Sequence, residues 1–263
     1  MHPRFSSITS PPPSDGRPRA VRVLDADREL AASLTEAERE LARDHAVGDL
    51  YRLEKGLWSP PANRLLAVLV LDGPILLERS VAGASAVELL GDGDIVLWGD
   101  SADDGAGFLK IDTAWLALDE CHVICLDERF GRATRTWPQL GLAVMRRTEA
   151  RAQRLTTMNA ITRFVRVDTR VLLALWWLSE RWGNVTPEGI LLRVGLTHQM
   201  LAELVGARRP TVTTAISQLQ RSGRLARRDD GWLLLGGPPT GDSVLVAGPW
   251  CRASADGASP LAG

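Results

Sequence analysis

The hydrophobic pattern of this chain changes period along its length. From about residue 28 to 47 apolar positions recur at helical spacing. Thr35 followed three residues later by Glu38 is a capping box, with Leu34 before it and Leu41 inside the run. From Tyr51 to Cys125 the texture becomes short apolar runs between turn residues. RLLAVLVL runs into Asp72-Gly73, PILLERSV into Gly83, and AVELLGDGDIVLW carries Gly91 and Gly93; GFLKI, TAWLALD and CHVICLD follow. Short runs spaced every ~8–12 residues predict a β-barrel or jelly roll. SADDGAG, around Ala102 to Ala106, reads as a loop. After Trp137-Pro138, helical spacing returns from Gln139 to Phe164, broken only by Gly141.

Along that long helix Leu140, Val144, Arg147, Arg151, Leu155, Met158 and Thr162 fall near one stripe. A stripe mixing apolar and polar residues suits a coiled-coil contact between two copies better than burial in a core. Leu140, Val144, Arg151, Leu155 and Met158 are therefore the expected dimer contacts, the alternative being a helix packed only within its own chain. A further helix starts at Val167-Asp168, with Asp168 as cap and Val171, Leu172, Leu175, Trp176 and Leu178 as its apolar face; Gly183 ends it. Trp176, Trp177 and Trp182 sit at helical spacing and read as core and interface rather than base-stacking residues. NVTPEGILLRVG reads as one or two short strands.

The stretch 197–222 carries the clearest signal. Thr197 is a good N-cap, and Leu201, Leu204 and Val205 give one apolar face that Gly206 closes. Pro210 lies near the start of the next helix, where its missing N–H costs nothing. Val212, Ala215, Ile216 and Leu219 form that helix's inner face, and Gly223 stops it. Two short helices around a tight turn predict a helix-turn-helix. RLARRDDGWLLLG then places two short runs about Asp230-Gly231, a hairpin signal that would make it winged.

Charge sharpens this reading. The whole chain of 263 residues carries a formal net charge of −1, so basicity is local. Between Leu204 and Arg228 there is no Asp or Glu, but there are Arg208, Arg209, Arg221, Arg224, Arg227 and Arg228. A surface cleared of acid suits phosphate contacts. Lys55 and Lys110 are the only lysines; arginine also suits bidentate guanine contacts. The arginine excess reads as the coding bias of a GC-rich, bacterial genome. The first residues are rich in Pro and Ser with few large apolar side chains, which predicts a disordered tail. No apolar run is long enough to span a bilayer and the N-terminus lacks a signal-peptide core, so the expectation is a cytoplasmic protein without a membrane. Three cysteines there do not suggest a disulfide framework.

The order helix, jelly roll, long helix and winged helix resembles the cyclic-AMP receptor and fumarate–nitrate regulator (Crp/Fnr) family of bacterial transcription factors, over about residues 30–236. The likeness is strongest where LTHQMLAELVGARRPTVTTAISQLQRSGRL follows the family's LTRQEIAxLVGxSRETVxRxLxxLxxxGxI, matching at Leu196, Thr197, Leu204, Val205, Gly206, Arg209, Thr211, Val212, Leu219 and Gly223. The resemblance implies that Arg209 meets a base edge, guanine by preference, and Thr211 a phosphate, with Arg208 a further backbone contact. Thr197, His198, Gln199, Thr213, Thr214, Gln218, Arg221, Arg227 and Arg228 complete the expected DNA surface. Two departures, Pro210 for the family's Glu and Thr214 for its second Arg, predict an altered sequence preference.

In the family's nucleotide-binding members a Gly-Glu-Leu turn and an Arg-Ser or Arg-Thr pair hold the cyclic phosphate. Here the turn survives as Gly91, Gly93 and Asp94, with Asp92, Asp100, Asp103 and Asp104 around it and Lys110 the only cation in the aligned stretch 91–120. An anionic phosphate would be repelled, so cyclic AMP is not expected as the effector, which stays unknown. The acidic loop lacks the ligand spacing of a calcium loop. Cys121 and Cys125 point to one face of a strand and His122 to the other, which suits packing rather than a cluster. His2, His45, His122 and His198 are scattered, so neither a metal, a cofactor nor catalysis is expected.

The expectation is an α+β chain: a 1–20 disordered tail, a 21–136 jelly-roll domain of cyclic-nucleotide-binding type, a 137–163 dimerisation helix, a 164–237 winged helix-turn-helix and a 238–263 flexible tail. Its expected function is that of a homodimeric transcription regulator on near-palindromic double-stranded DNA, with RNA polymerase a candidate partner. The rival is an effector-binding or protein-interaction subunit that has lost specific DNA binding.

Overall fold

The computed structural model describes residues 18–61, 64–98 and 109–239. Most of the two expected tails, including the short apolar run Val244–Val246 in the second, and the loop with Asp100, Asp103 and Asp104 lie outside the described residues. Strand β1 (Arg19–Arg22) pairs antiparallel with β2 (Val47–Leu53), so Arg19 and Ala20 belong to a sheet and not to a disordered tail.

The single helix expected over 28–47 is instead α1 (Val23–Ala26), a 3₁₀ turn (Arg28–Ala31) and α2 (Glu36–Arg43). Two caps explain the breaks. The Asp27 carboxylate accepts from the N–H groups of Glu29 and Leu30, and Thr35 takes the expected capping box with Glu38; both residues sit in extended backbone, which a continuous helix cannot pass. Leu41 is exposed on α2.

The expected strands form two stacked antiparallel sheets. They are β3 (Gly56–Trp58), β4 (Leu65–Asp72), β5 (Ile75–Val81), β6 (Ala84–Leu90), β7 (Ile95–Leu97), β8 (Ile111–Ala117) and β9 (Cys121–Asp127). One sheet runs β1-β2-β9-β4-β7, the other β3-β8-β5-β6. Period-2 alternation fixes what each face does. Val68 and Val70 of β4 meet Ile75, Leu77, Leu90 and Trp115 inside the barrel. Ala67 and Leu69 point the other way, under α1, under α3 (Glu128–Thr136), which the sequence pattern did not suggest, and under the start of α4 (Pro138–Thr162). Both faces of β4 are covered, so it reads as an unbroken apolar run. Cys121 and Cys125 are buried in the interior, and His122 faces out to Asp72 at 3.0 Å.

The outer face of the second sheet is also buried. Leu76, Val87, Leu89 and Leu116 share one core with the C-terminal domain. That domain comprises α5 (Val167–Trp182), β10 (Gly183–Thr186), β11 (Gly189–Leu192), α6 (His198–Leu204), α7 (Arg209–Arg221), β12 (Leu225–Arg228) and β13 (Gly231–Leu234), its sheet ordered β10-β11-β13-β12. Asp168 does not cap α5; Arg166 is the flanking residue, and Asp168 pairs with it at 2.6 Å. In the wing, Asp229 and Asp230 make the turn, and Gly231 already lies in the strand, where a Cβ would come within 2.1 Å of the Leu192 carbonyl oxygen. Among the described residues no helix is long and apolar enough to cross a membrane.

Helix α4 has nearly its expected bounds but faces differently. Its expected dimer stripe lies against its own chain: Leu140 is fully buried, Val144 packs beside it, Arg151 forks onto Glu88 at 2.7–3.1 Å, and Met158 packs on the shared core. Of those five residues Leu155 alone is exposed, at 38%. The polar character of the stripe is intrachain ion pairing, which period alone does not separate from an interhelical seam.

Candidate nucleic-acid interface

The helix pair forms as its local sequence dictates. The Thr197 hydroxyl accepts from the Met200 N–H at 3.2 Å and starts α6. Gly206 turns the chain at φ 62°, a left-handed backbone that residues with a Cβ resist. Pro210 sits in the first turn of α7. Val212, Ala215, Ile216 and Leu219 are buried at 5% exposure or less, which fixes the rotation of α7 and turns its other face outward.

On that outward face Arg208, Arg209, Thr211, Thr213, Thr214, Gln218 and Arg221 are all exposed. Three of them are partly engaged within the chain. Thr214 donates back to the Pro210 carbonyl at 3.2 Å, and Arg221 donates to that of Ser217 at 3.3 Å. Thr213 donates to the Arg209 carbonyl at 3.0 Å, leaving its oxygen to accept from His198 Nδ1 at 3.0 Å. Gln199 donates to Glu203 at 2.7 Å. The wing adds Arg227, whose guanidinium lies 4.6 Å from the Trp232 ring centroid; His198 stacks on the same ring at 5.9 Å. Arg228, expected on the DNA surface, is exposed and pairs with Glu188 at 2.5 Å. Burial, then Arg209 and Arg227, hold the His198 imidazole below its ordinary range.

Two residues that sequence reading passed over belong here. Arg166, at the start of α5, borders the same hollow as Thr211, Thr214 and Gln218. Arg170 donates to the carbonyls of Val205 and Gly206 at 3.4 and 3.2 Å, tying α5 to the turn of the helix pair. No local motif marks either; the parts of the helix pair they meet are distant in sequence.

The acidic turn is also changed by tertiary contacts. Lys110 is the only cation in the stretch 91–120, but α4 brings Arg147 to Asp27, Arg151 to Glu88 and Arg154 to Asp94. Asp94, with 4% of its side chain exposed, also accepts from the Gly91 N–H at 2.9 Å and from Arg181 of α5 at 2.6 Å. One carboxylate thus joins barrel, long helix and C-terminal domain. Ser85 of β6 adds a 2.6 Å bond to Glu203 of α6.

A small barrel, a long helix and an exposed basic helix on a winged domain define the class to which this architecture belongs. Residues 169–235 match the model of the Crp-like helix-turn-helix domain. The regulatory protein CysR of Synechococcus elongatus is 38% identical over 73 residues, 27% of this chain; the match spans 35% of that relative's length. Among solved structures, a CooA mutant from Carboxydothermus hydrogenoformans is similar at TM-score 0.58 and 20% identity, covering 81% of this chain and 89% of its own. The c-di-GMP-responsive global regulator CLP of Xanthomonas campestris is similar at 0.59 and 20%, covering 77% of this chain and 100% of its own. FixK2 of Bradyrhizobium japonicum reaches 0.56 at 15%, covering 73% and 93%. Residues 169–235 thus carry a Crp-like helix-turn-helix domain, and the fold of the chain is shared with these solved structures.

Proposed function

We propose that two copies of this chain bind double-stranded DNA sequence-specifically and regulate transcription. The outward face of α7 carries the reading: Arg208, Arg209, Thr211, Gln218 and Arg221 stand exposed at and along a helix that holds no carboxylate and whose inner face is locked in the core. Such a helix fits the major groove, with Arg209 at a base edge and Arg208, Thr211 and the added Arg166 at phosphates. Pro210 and Thr214 shift the preferred sequence away from the family's usual half-site. Contact with RNA polymerase and a cytoplasmic setting belong to the same reading.

The dimer seam is placed on the exposed face of α4. Leu142, Met145, Glu149, Ala152, Thr156 and Asn159 recur at alternating three- and four-residue steps and are all exposed. That is the spacing of a coiled-coil seam. Cyclic AMP is not the proposed effector: Arg147 and Arg151, which face the barrel, are each matched by a carboxylate of the chain.

Selection from random duplex DNA, followed by gel shifts across a salt series, tests the reading. Expected are an enriched near-palindrome distinct from the family half-site, and a steep salt slope. Arg208→Ala with Arg209→Ala should weaken binding at least a hundredfold without unfolding the chain. Salt-insensitive, unselective binding would favour the protein-interaction subunit instead.

A further inference from the structure

Between the outer face of β6, the C-terminal half of α4 and the end of α5 lies a cavity of about 190 Å³. Its walls are Val87 and Leu89 of β6, Leu155 and Met158 of α4, and Trp177 and Trp182 of α5. At the ~0.75 packing density of protein interiors, such a space holds roughly 140 Å³ of molecule, about a two-ring aromatic. Two indoles and a thioether favour a flat ring over an alkyl chain.

The polar groups at the rim are unequal. Arg154 and Arg181 both lean on the single carboxylate of Asp94, and both border the cavity. Arg181 is also held by the Asp92 carbonyl and lies 5.0 Å from the Trp182 ring centroid. Arg154 spends one N–H on Asp94 among the described residues, so most of its donor fork is open, and a third of its side chain is exposed. Of the two other carboxylates at the rim, Glu88 is closed by its fork with Arg151, and Glu180 is exposed, where solvent screens it.

We propose that this cavity is a ligand site for a small aromatic carboxylate, its rings between Met158 and the two tryptophans and its acid group on Arg154. The site lies on the opposite face of the β5–β6 sheet from the barrel interior. Its walls come from the barrel, the long helix and the winged domain, so an occupant would fix the placement of α6 and α7 relative to the barrel. That consequence for DNA affinity rests on the function proposed above; the binding itself does not.

Isothermal titration of the full chain with 1-naphthoate tests it. Expected is saturable binding of one molecule per chain, with Kd of about 10–100 µM for a ligand of this size. Met158→Trp fills the cavity and should abolish binding, with Leu155→Trp serving where the first variant does not fold. Arg154→Gln should weaken 1-naphthoate at least fivefold and leave the neutral 1-naphthalenemethanol unchanged. Absence of saturable binding, equal binding by a folded filling variant, or equal weakening of acid and alcohol would overturn the proposal. If 1-naphthoate binds as expected while gel shifts detect no DNA binding, the proposed function fails and the ligand site stands.

Discussion

At Asp94 one nearly buried carboxylate faces two guanidiniums and a backbone N–H. Asp94→Ala would leave Arg154 and Arg181 without their shared counter-charge. Removing one partner of a buried pair costs about 3–5 kcal/mol, and the partial exposure of both arginines lowers that here to about 2–3 kcal/mol. Urea unfolding should show it as a lower midpoint; an unchanged midpoint would refute the clasp. His198 gives a pH dependence with a definite sign. Its imidazole is held below the ordinary 6.5 by burial and by the arginines of α7 and β12. The unfolded chain therefore binds a proton at a pH where the folded chain does not, so stability is full above about pH 6.5 and falls as pH drops below it. Melting temperatures measured from pH 8 to pH 5 should fall further for the parent than for His198→Gln; parallel profiles would count against it. Asp94 was visible in the sequence only as an acid beside other acids, because the arginines that neutralise it come from residues 60 and 87 positions away.

The long helix α4 separates what a pattern can and cannot say. Its bounds were legible, since Trp137-Pro138 opens it and no proline interrupts it. Its orientation was not, because two stripes are available and a mixed one can face either a partner or an ion-pairing barrel. Leu140→Ala should therefore cost about 2–5 kcal/mol of folding stability through the cavity it leaves, with the dimer intact. Leu142→Glu with Met145→Glu should leave the fold unchanged and give monomers, because like charges would meet across the seam. Sedimentation velocity combined with chemical unfolding distinguishes the two; the reverse pairing would return the seam to the first stripe. The helix pair needed no such correction, since its cap, turn glycine and inner face are all local signals read over 27 consecutive residues.

At the scale of the whole molecule, helices, two barrel sheets and the winged domain stack as successive layers sharing buried faces. The join at Gly91 is tight: a Cβ there would lie 2.9 Å from Trp182 Cζ2. Gly91→Val should strain this join by about 1–3 kcal/mol and loosen the winged domain from the barrel. Faster tryptic cleavage after the exposed Arg163 and Arg166 is the expected sign; an unchanged cleavage rate would mean the join does not hold the hinge. The sequence by itself determined most of the elements and their kind: strand period, the Thr35 and Thr197 caps, the glycine turn and an arginine face swept of acid, all of which depend on neighbours within a few residues. Only the tertiary structure decided which face of α4 is free, which cations meet Asp94, that Arg228 is tied to Glu188, and that a cavity opens between three layers. Those facts depend on charges and surfaces brought together from far apart in the chain, and no local spacing encodes them.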